Sequence, residues 1–191
     1  MEQAYIVDKV FDKKDFKEKP LPKGEYEGCT FTNCDFSNTD FTDIKLIECS
    51  FSGCNLSLVK LNKTALRDIK FKDCKLLGLH FHNCTDLGLS FSFENCSLNH
   101  SSFYRTKIKK TIFRNCQLKE VDFTDCDLSQ AVLDNCDLNM ASFANTILEK
   151  ADLRTAYNFS INPETNRLKK AKFSLHGIPG LLDKYDIEIE R

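Results

Sequence analysis

Apolar residues recur every five positions along most of this chain. Between Cys29 and Phe41, Phe31, Phe36 and Phe41 stand five apart, and Cys29, Cys34 and Thr39 each stand two residues before one of them. Neither regular element carries that spacing. Five residues of an α-helix turn through about 500°, so successive Phe would spiral around the axis. In an unbroken strand side chains alternate with period two, so an odd spacing would send every second Phe to the opposite face. The chain must therefore turn a corner once per repeat. On each short side the large apolar residue and the small residue two before it share a face and point in, while the other three point out.

From Tyr26 the rhythm runs through Phe31, Phe36, Phe41, Leu46, Phe51, Leu56, Leu61, Leu66, Phe71, Leu76 and Phe81. A second period lies within it: Phe31, Phe51, Phe71 and Phe91 are twenty apart, as are Cys34, Cys54 and Cys74. Twenty residues are four repeats, which predicts a four-sided coil, each turn stacked on the last at roughly the 4.8 Å inter-strand spacing. Equal residues then form columns down the inside, as in solenoids whose units bury their apolar faces only against neighbours.

At position 86 the phase breaks on Asp86, and the rhythm resumes two residues late at Phe93, Leu98 and Phe103, continuing to Leu153. Two extra residues are absorbed within one side. The stretch Asp86, Leu87, Gly88 and Leu89 is the expected bulge, with Gly88 supplying the backbone freedom it needs.

The two ends depart from the pattern. In residues 1–25, Phe11, Phe16 and Leu21 keep the phase, but their small-residue slots hold Lys9, Lys14 and Lys19, which cannot be buried unpaired. This segment reads as a cap over the open end of the stack. The repeats span 26–173, with the NPETN turn bulging from one side before Phe173. In 174–191, Pro179 suits the first turn of a short helix through Leu181, Leu182 and Tyr185, and Ile187 and Ile189 alternate with acids as a brief strand would. These apolar residues exceed what one coil end needs.

Composition narrows the function classes. A chain of 191 residues and 21.9 kDa fits one domain, and a net charge of −1 argues neither for a nucleic-acid binder nor for an extreme polyanion. No run of eighteen apolar residues exists and the first residues lack a secretory pattern, so no membrane association and a cytoplasmic location are expected. All ten Cys occupy the small inward slot, where Ala, Thr, Ser and Val stand elsewhere, so cysteine acts as a small buried hydrophobe. With no C-x2-C pair and scattered His, neither a metal nor another cofactor is expected.

The pattern of small residue, variable residue, Leu or Phe, then two polar residues over Tyr26–Phe173 resembles the pentapeptide repeat family. That resemblance implies an all-β fold, a right-handed quadrilateral β-helix, here with a short C-terminal helix. DLGLSF (Asp86–Phe91) is similar to the bulge of the Qnr-type quinolone-resistance proteins, and the segment from Ile161 onward resembles the end of a microcin immunity protein that protects DNA gyrase. Those relatives are mimics of duplex DNA whose same terminal element pairs with its twofold mate, so the resemblance implies a symmetric homodimer here through Leu181, Leu182, Tyr185, Ile187 and Ile189. The resemblance implies a non-enzymatic protein that binds a type II topoisomerase, DNA gyrase or topoisomerase IV, and protects it from inhibitors. The alternative is a generic interaction scaffold with another partner.

Mimicry of DNA calls for outward carboxylates. Glu120, Asp122, Asp125, Asp127, Asp134 and Asp137 supply an acidic band without an intervening Lys or Arg. Earlier stretches are basic: Lys60, Lys63, Arg67, Lys70, Lys72 and Lys75, then Arg105, Lys107, Lys109, Lys110 and Arg114. No aromatic interleaving accompanies them, so direct nucleic-acid binding is not expected. An outward Asp beside a corner more often bonds backbone N–H groups of the turn than imitates phosphate. His80 and His82 flank Phe81 and should point outward, with no nucleophile beside them. A filled interior leaves no cleft for shifted pKa values, and no catalytic residue is assigned.

Overall fold

A computed structural model describes residues 4–190. The chain forms an all-β parallel solenoid with four sides per coil. One side is a four-stranded sheet of β1 (Ala4–Val7), β3 (Gly24–Glu27), β5 (Lys45–Ile47) and β7 (Ala65–Arg67). The next side is a seven-stranded sheet of β2 (Val10–Asp12), β4 (Thr30–Thr32), β6 (Ser50–Ser52), β8 (Ile69–Lys72), β9 (Phe91–Glu94), β10 (Ile112–Arg114) and β11 (Val132–Asp134). All strand pairs are parallel, and Phe11, Phe31, Phe51 and Phe71 fall in one register. The other two sides are held by single bridges, among them Asp35 to Asn55 to Lys75 and Ser102 to Asp122 to Ser142.

Most repeats bury the expected pair. Phe31, Phe36, Phe41, Phe51, Phe81, Phe93, Phe103, Phe113 and Phe123 are fully buried, and the rings stack in columns. Phe16 lies parallel to Phe36 at 4.5 Å, and Phe81 to Phe103 at the same centroid distance. The small slot tolerates hydroxyls because most of them find a carbonyl. Thr64 Oγ1 donates to Phe41 O at 2.8 Å, Ser101 Oγ to Leu76 O at 2.9 Å and Thr146 Oγ1 to Phe123 O at 2.8 Å. The Cys thiols donate in the same way, Cys49 to Tyr26 O at 3.3 Å and Cys74 to Phe51 O at 3.4 Å.

Almost every corner carries a residue at positive φ, a conformation that Asn and Asp tolerate better than most side chains. One corner column makes a side-chain ladder. Asn95 Nδ2 donates to Asp73 Oδ1 at 2.9 Å, Asn115 Nδ2 to Asn95 Oδ1 at 3.0 Å, and Asn135 Nδ2 to Asn115 Oδ1 at 2.9 Å.

The coil register shifts between Thr85 and Ser90. Thr85 N bonds Thr64 O and Ser90 N bonds Leu66 O, so the extra residues sit between 85 and 90, and from there Phe71 pairs with Phe93. Gly88 has φ +76°, and a Cβ there would stand 3.2 Å from Arg67 Nε. Leu87 points out, 74% exposed, while Leu89 is buried. Phe91, which the twenty-residue spacing puts in the Phe31 column, instead pairs with Ile69 in the small slot. The lengthened coil gives its ring room between Phe81 and Phe103.

The solenoid begins before Tyr26. β1 and β2 pair with β3 and β4, and Phe16 and Leu21 are buried, so residues 4–22 are themselves a coil. At the other end Asp152 bridges Lys172, carrying the stack to Phe173. The NPETN turn adds no residues, since Tyr157 pairs with Asp137 and Arg167 with Ile147, each twenty earlier. Asn166 takes the small slot there and donates to Phe143 O and Asn162 O.

Beyond Phe173 the structure departs from expectation. Leu175–Leu181 is a 3-10 helix with Pro179 inside it rather than at its first turn, and Asp183–Tyr185 is a second short one. Gly180 explains the tight geometry: its O accepts from Ile161 N at 2.8 Å, and a Cβ would meet Phe159 O at 2.2 Å. No strand forms at Ile187 and Ile189. Asp186 turns the chain in the left-handed region at φ 49°, and residues 187–190 run exposed without a paired edge.

Candidate docking surface

The six acidic residues encircle the rod rather than sharing one side. Asp122 lies on the side of His80 and Ser102, Asp127 on that of Lys107, Asp134 on the seven-stranded sheet and Asp137 on that of Gln117. Glu120 and Asp125 are corner residues with φ 56° and 55°, flanking the side that carries Asp122. Sequence neighbours proceed around a coil, so a continuous acidic run in sequence becomes a ring in space.

Three of the six serve turns. Asp122 Oδ1 accepts from Thr124 N at 2.9 Å, Asp127 Oδ1 from Ser129 N at 3.0 Å, and Asp137 Oδ1 from Asn139 N at 3.2 Å, each two residues ahead. Burial pushes the Asp127 carboxyl up, but its bonds to Ser129 and Lys109 outweigh that and hold it below the ordinary value. Asp137 behaves alike: burial raises it, but bonds to Asn158, Asn139 and Lys119 outweigh that and hold it below the ordinary value.

The preceding coil supplies a counter-ion to most of the ring. Arg105 Nε meets Asp125 at 3.3 Å, Lys109 meets Asp127 at 3.2 Å, Arg114 meets Asp134 at 3.3 Å and Lys119 meets Asp137 at 3.3 Å. His100 Nδ1 lies 3.3 Å from Glu120. Thus the later basic stretch and the acidic band, separate in sequence, form one set of ladders. The signal was in the sequence as opposite charges spaced by 18 or 20 residues, the length of a coil. Asp127 and Asp137 have side chains only 13% and 12% exposed, whereas Glu120, Asp125 and Asp134 are 51%, 29% and 41% exposed. The last three are the more accessible of these five carboxylates.

His80 and His82 point outward as expected, on the side of Asp122. Their rings are 5.3 Å apart, and His82 Nδ1 is 3.1 Å from Ser102 Oγ. Burial first, then His80, lowers the His82 pKa, which favours the neutral ring. All ten thiols are buried and unbridged, and no group of three or more metal-ligating side chains occurs among the described residues. No helix among them is long and apolar enough to cross a membrane.

The five C-terminal residues expected to pair do not form one face. Leu181 packs on the core, Leu182 is half-buried, and Tyr185 donates to Glu164 Oε1 at 3.1 Å with Lys184 over its ring. Ile187 and Ile189 remain exposed.

A filled interior, four sides per coil and charges arrayed outside define a parallel β-solenoid. The family model for the pentapeptide repeat region matches residues 25–91 and 89–157, and the chain belongs to that family. No curated protein matches in sequence. Among solved structures, a trypsin-treated form of QnrB1, a plasmid-mediated fluoroquinolone resistance protein, matches with TM-score 0.63 at 15% identity, over 96% of this chain and 99% of that one. Full-length QnrB1 matches with TM-score 0.50 at 18% identity, over 95% and 97%. HetL, a pentapeptide repeat protein involved in heterocyst differentiation regulation in the cyanobacterium Nostoc, matches with TM-score 0.46 at 14% identity, over 88% and 84%. These likenesses are of fold.

Proposed function

We propose that this chain is a non-enzymatic docking rod whose partner is a type II topoisomerase, DNA gyrase or topoisomerase IV, which it shields from inhibitors. The observation that carries the docking reading is the group of Glu120, exposed, and Asp125 and Asp134, part-exposed, each meeting one basic side chain, His100, Arg105 or Arg114, that is itself more than half exposed. Exposed pairs of this kind contribute roughly 0–1 kcal/mol, so exchanging the internal cation for one on a basic partner surface costs little. The likeness of the rod to QnrB1 supports the choice of partner.

A gyrase supercoiling assay with and without a fluoroquinolone, titrated with this protein, tests the reading. Dose-dependent inhibition or protection is expected, weakened by Glu120→Lys with Asp125→Lys and by added salt. Neither effect at about micromolar protein leaves the second reading, a scaffold for another partner. The turn-bound Asp122, Asp127 and Asp137 favour that alternative, since their carboxylates are already committed to the fold.

A further inference from the structure

The first coil carries a feature that side docking does not use. Its inward small slots hold Lys9, Lys14 and Lys19, all exposed, and no ion pair engages them among the described residues. The three line a cavity of 360 Å³ together with the apolar Ile6, Phe11, Phe16 and Tyr26 and one carboxylate, Asp15, which Lys17 pairs. Lys9 Nζ sits 5.2 Å above the Phe11 ring. β1 and β2 are each the last strand of their sheet, so one edge of each is unpaired among the described residues. An apolar lining, three lysines and open strand edges together fit an extended segment that alternates apolar and acidic residues.

The chain carries such a segment at its other end. Ile187, Glu188, Ile189 and Glu190 are exposed, lack regular structure, and form no ion pair among the described residues. Extended, they would place both Ile on one face and both Glu on the other. The segment's own coil end is closed to it, because the 3-10 helix at Leu175–Leu181 packs there through Gly180.

We propose that the 187–190 tail of one copy docks on the first coil of a second copy, head to tail. Ile187 and Ile189 cover the apolar lining, and Glu188 and Glu190 meet the three lysines. The contact joins two different surfaces, so it does not close as a twofold dimer would, and it builds longer rods or rings. It thereby gives Ile187 and Ile189 a different mate from the twofold partner that the resemblance implies.

Sedimentation of the full chain over a concentration series tests this, alongside two charge-reversed variants. One carries Lys9→Glu, Lys14→Glu and Lys19→Glu; the other carries Glu188→Lys and Glu190→Lys. All five positions are exposed, so both variants should keep the wild-type circular dichroism spectrum and melting curve. The wild type is expected to form species beyond the dimer, growing with concentration, and each variant to weaken association at least about tenfold, with further loss in salt for the wild type. An equimolar mixture of the two variants regains the assembly, because each end then meets a complementary mate. A wild type that stays monomeric at tens of micromolar overturns the proposal, as does a discrete dimer that the lysine reversals leave intact.

Discussion

Phe71 stacks on Phe93, twenty-two positions ahead, with ring centroids 5.2 Å apart and planes 8° from parallel. Phe51 covers the other face of Phe71 at 5.2 Å. The column therefore passes through the bulged coil unbroken, and the two extra residues are expelled to the corner at Gly88.

That stacking makes Phe71→Ala costly. The ring is 4% exposed and held between two others, so its removal should destabilise the chain by roughly 3–5 kcal/mol. Denaturant unfolding checks this, and a loss under about 1 kcal/mol would contradict a stacked column.

The thiols should be silent in the native state. Burial pushes Cys84 and Cys126 up to about 12, so neither is a thiolate near neutrality, and all ten thiols are buried. An alkylating reagent should label the folded chain slowly and all ten positions after unfolding. Rapid labelling of most of them without denaturant would show that the coils open far more readily than this packing allows.

Corner chemistry offers a stabilising change. Met140 sits at φ 57° and is 74% exposed, so it spends backbone strain without packing in return. Asn accepts this conformation more readily, and Met140→Asn should add about 0.5–1 kcal/mol, read as a higher denaturation midpoint. An unchanged or lower midpoint would show that the Met side chain contributes more than its exposure indicates.

Acid should weaken the later coils through Asp127 and Asp137. Both carboxyls lie below their ordinary 3.8 in the folded chain. A depressed folded value means that the unfolded chain takes up protons first. The stabilisation is then complete above about pH 4 and is lost as pH falls through the lower folded values. Asp127→Asn with Asp137→Asn should flatten stability against pH in that window while leaving the neutral-to-alkaline range parallel to wild type. A double variant with an undiminished acid slope would place the effect in other carboxylates.

The inward columns were legible in the sequence because the alternation of inward and outward positions is a local steric property, repeated every five residues. Phe31, Cys34 and Phe36 announce it within one side and corner, and Asp86 announces the bulge by breaking it. Local pattern also marks Asp122, Asp127 and Asp137 as turn residues, each bonding an amide two positions on. What lies between coils needed the tertiary structure. Arg114 and Asp134 are twenty residues apart, and their meeting depends on how long side chains lean across the inter-coil gap, which no local pattern states. Phe91 and Phe93 are two apart with the same inward parity, so only the coil register decides that Phe93 continues the ring column while Phe91 fills the small slot. At the C-terminus the alternation of Ile187 to Glu190 satisfies a strand pattern without a partner edge. A strand is a pairing rather than a property of a segment, and no strand of the solenoid pairs with residues 187–190.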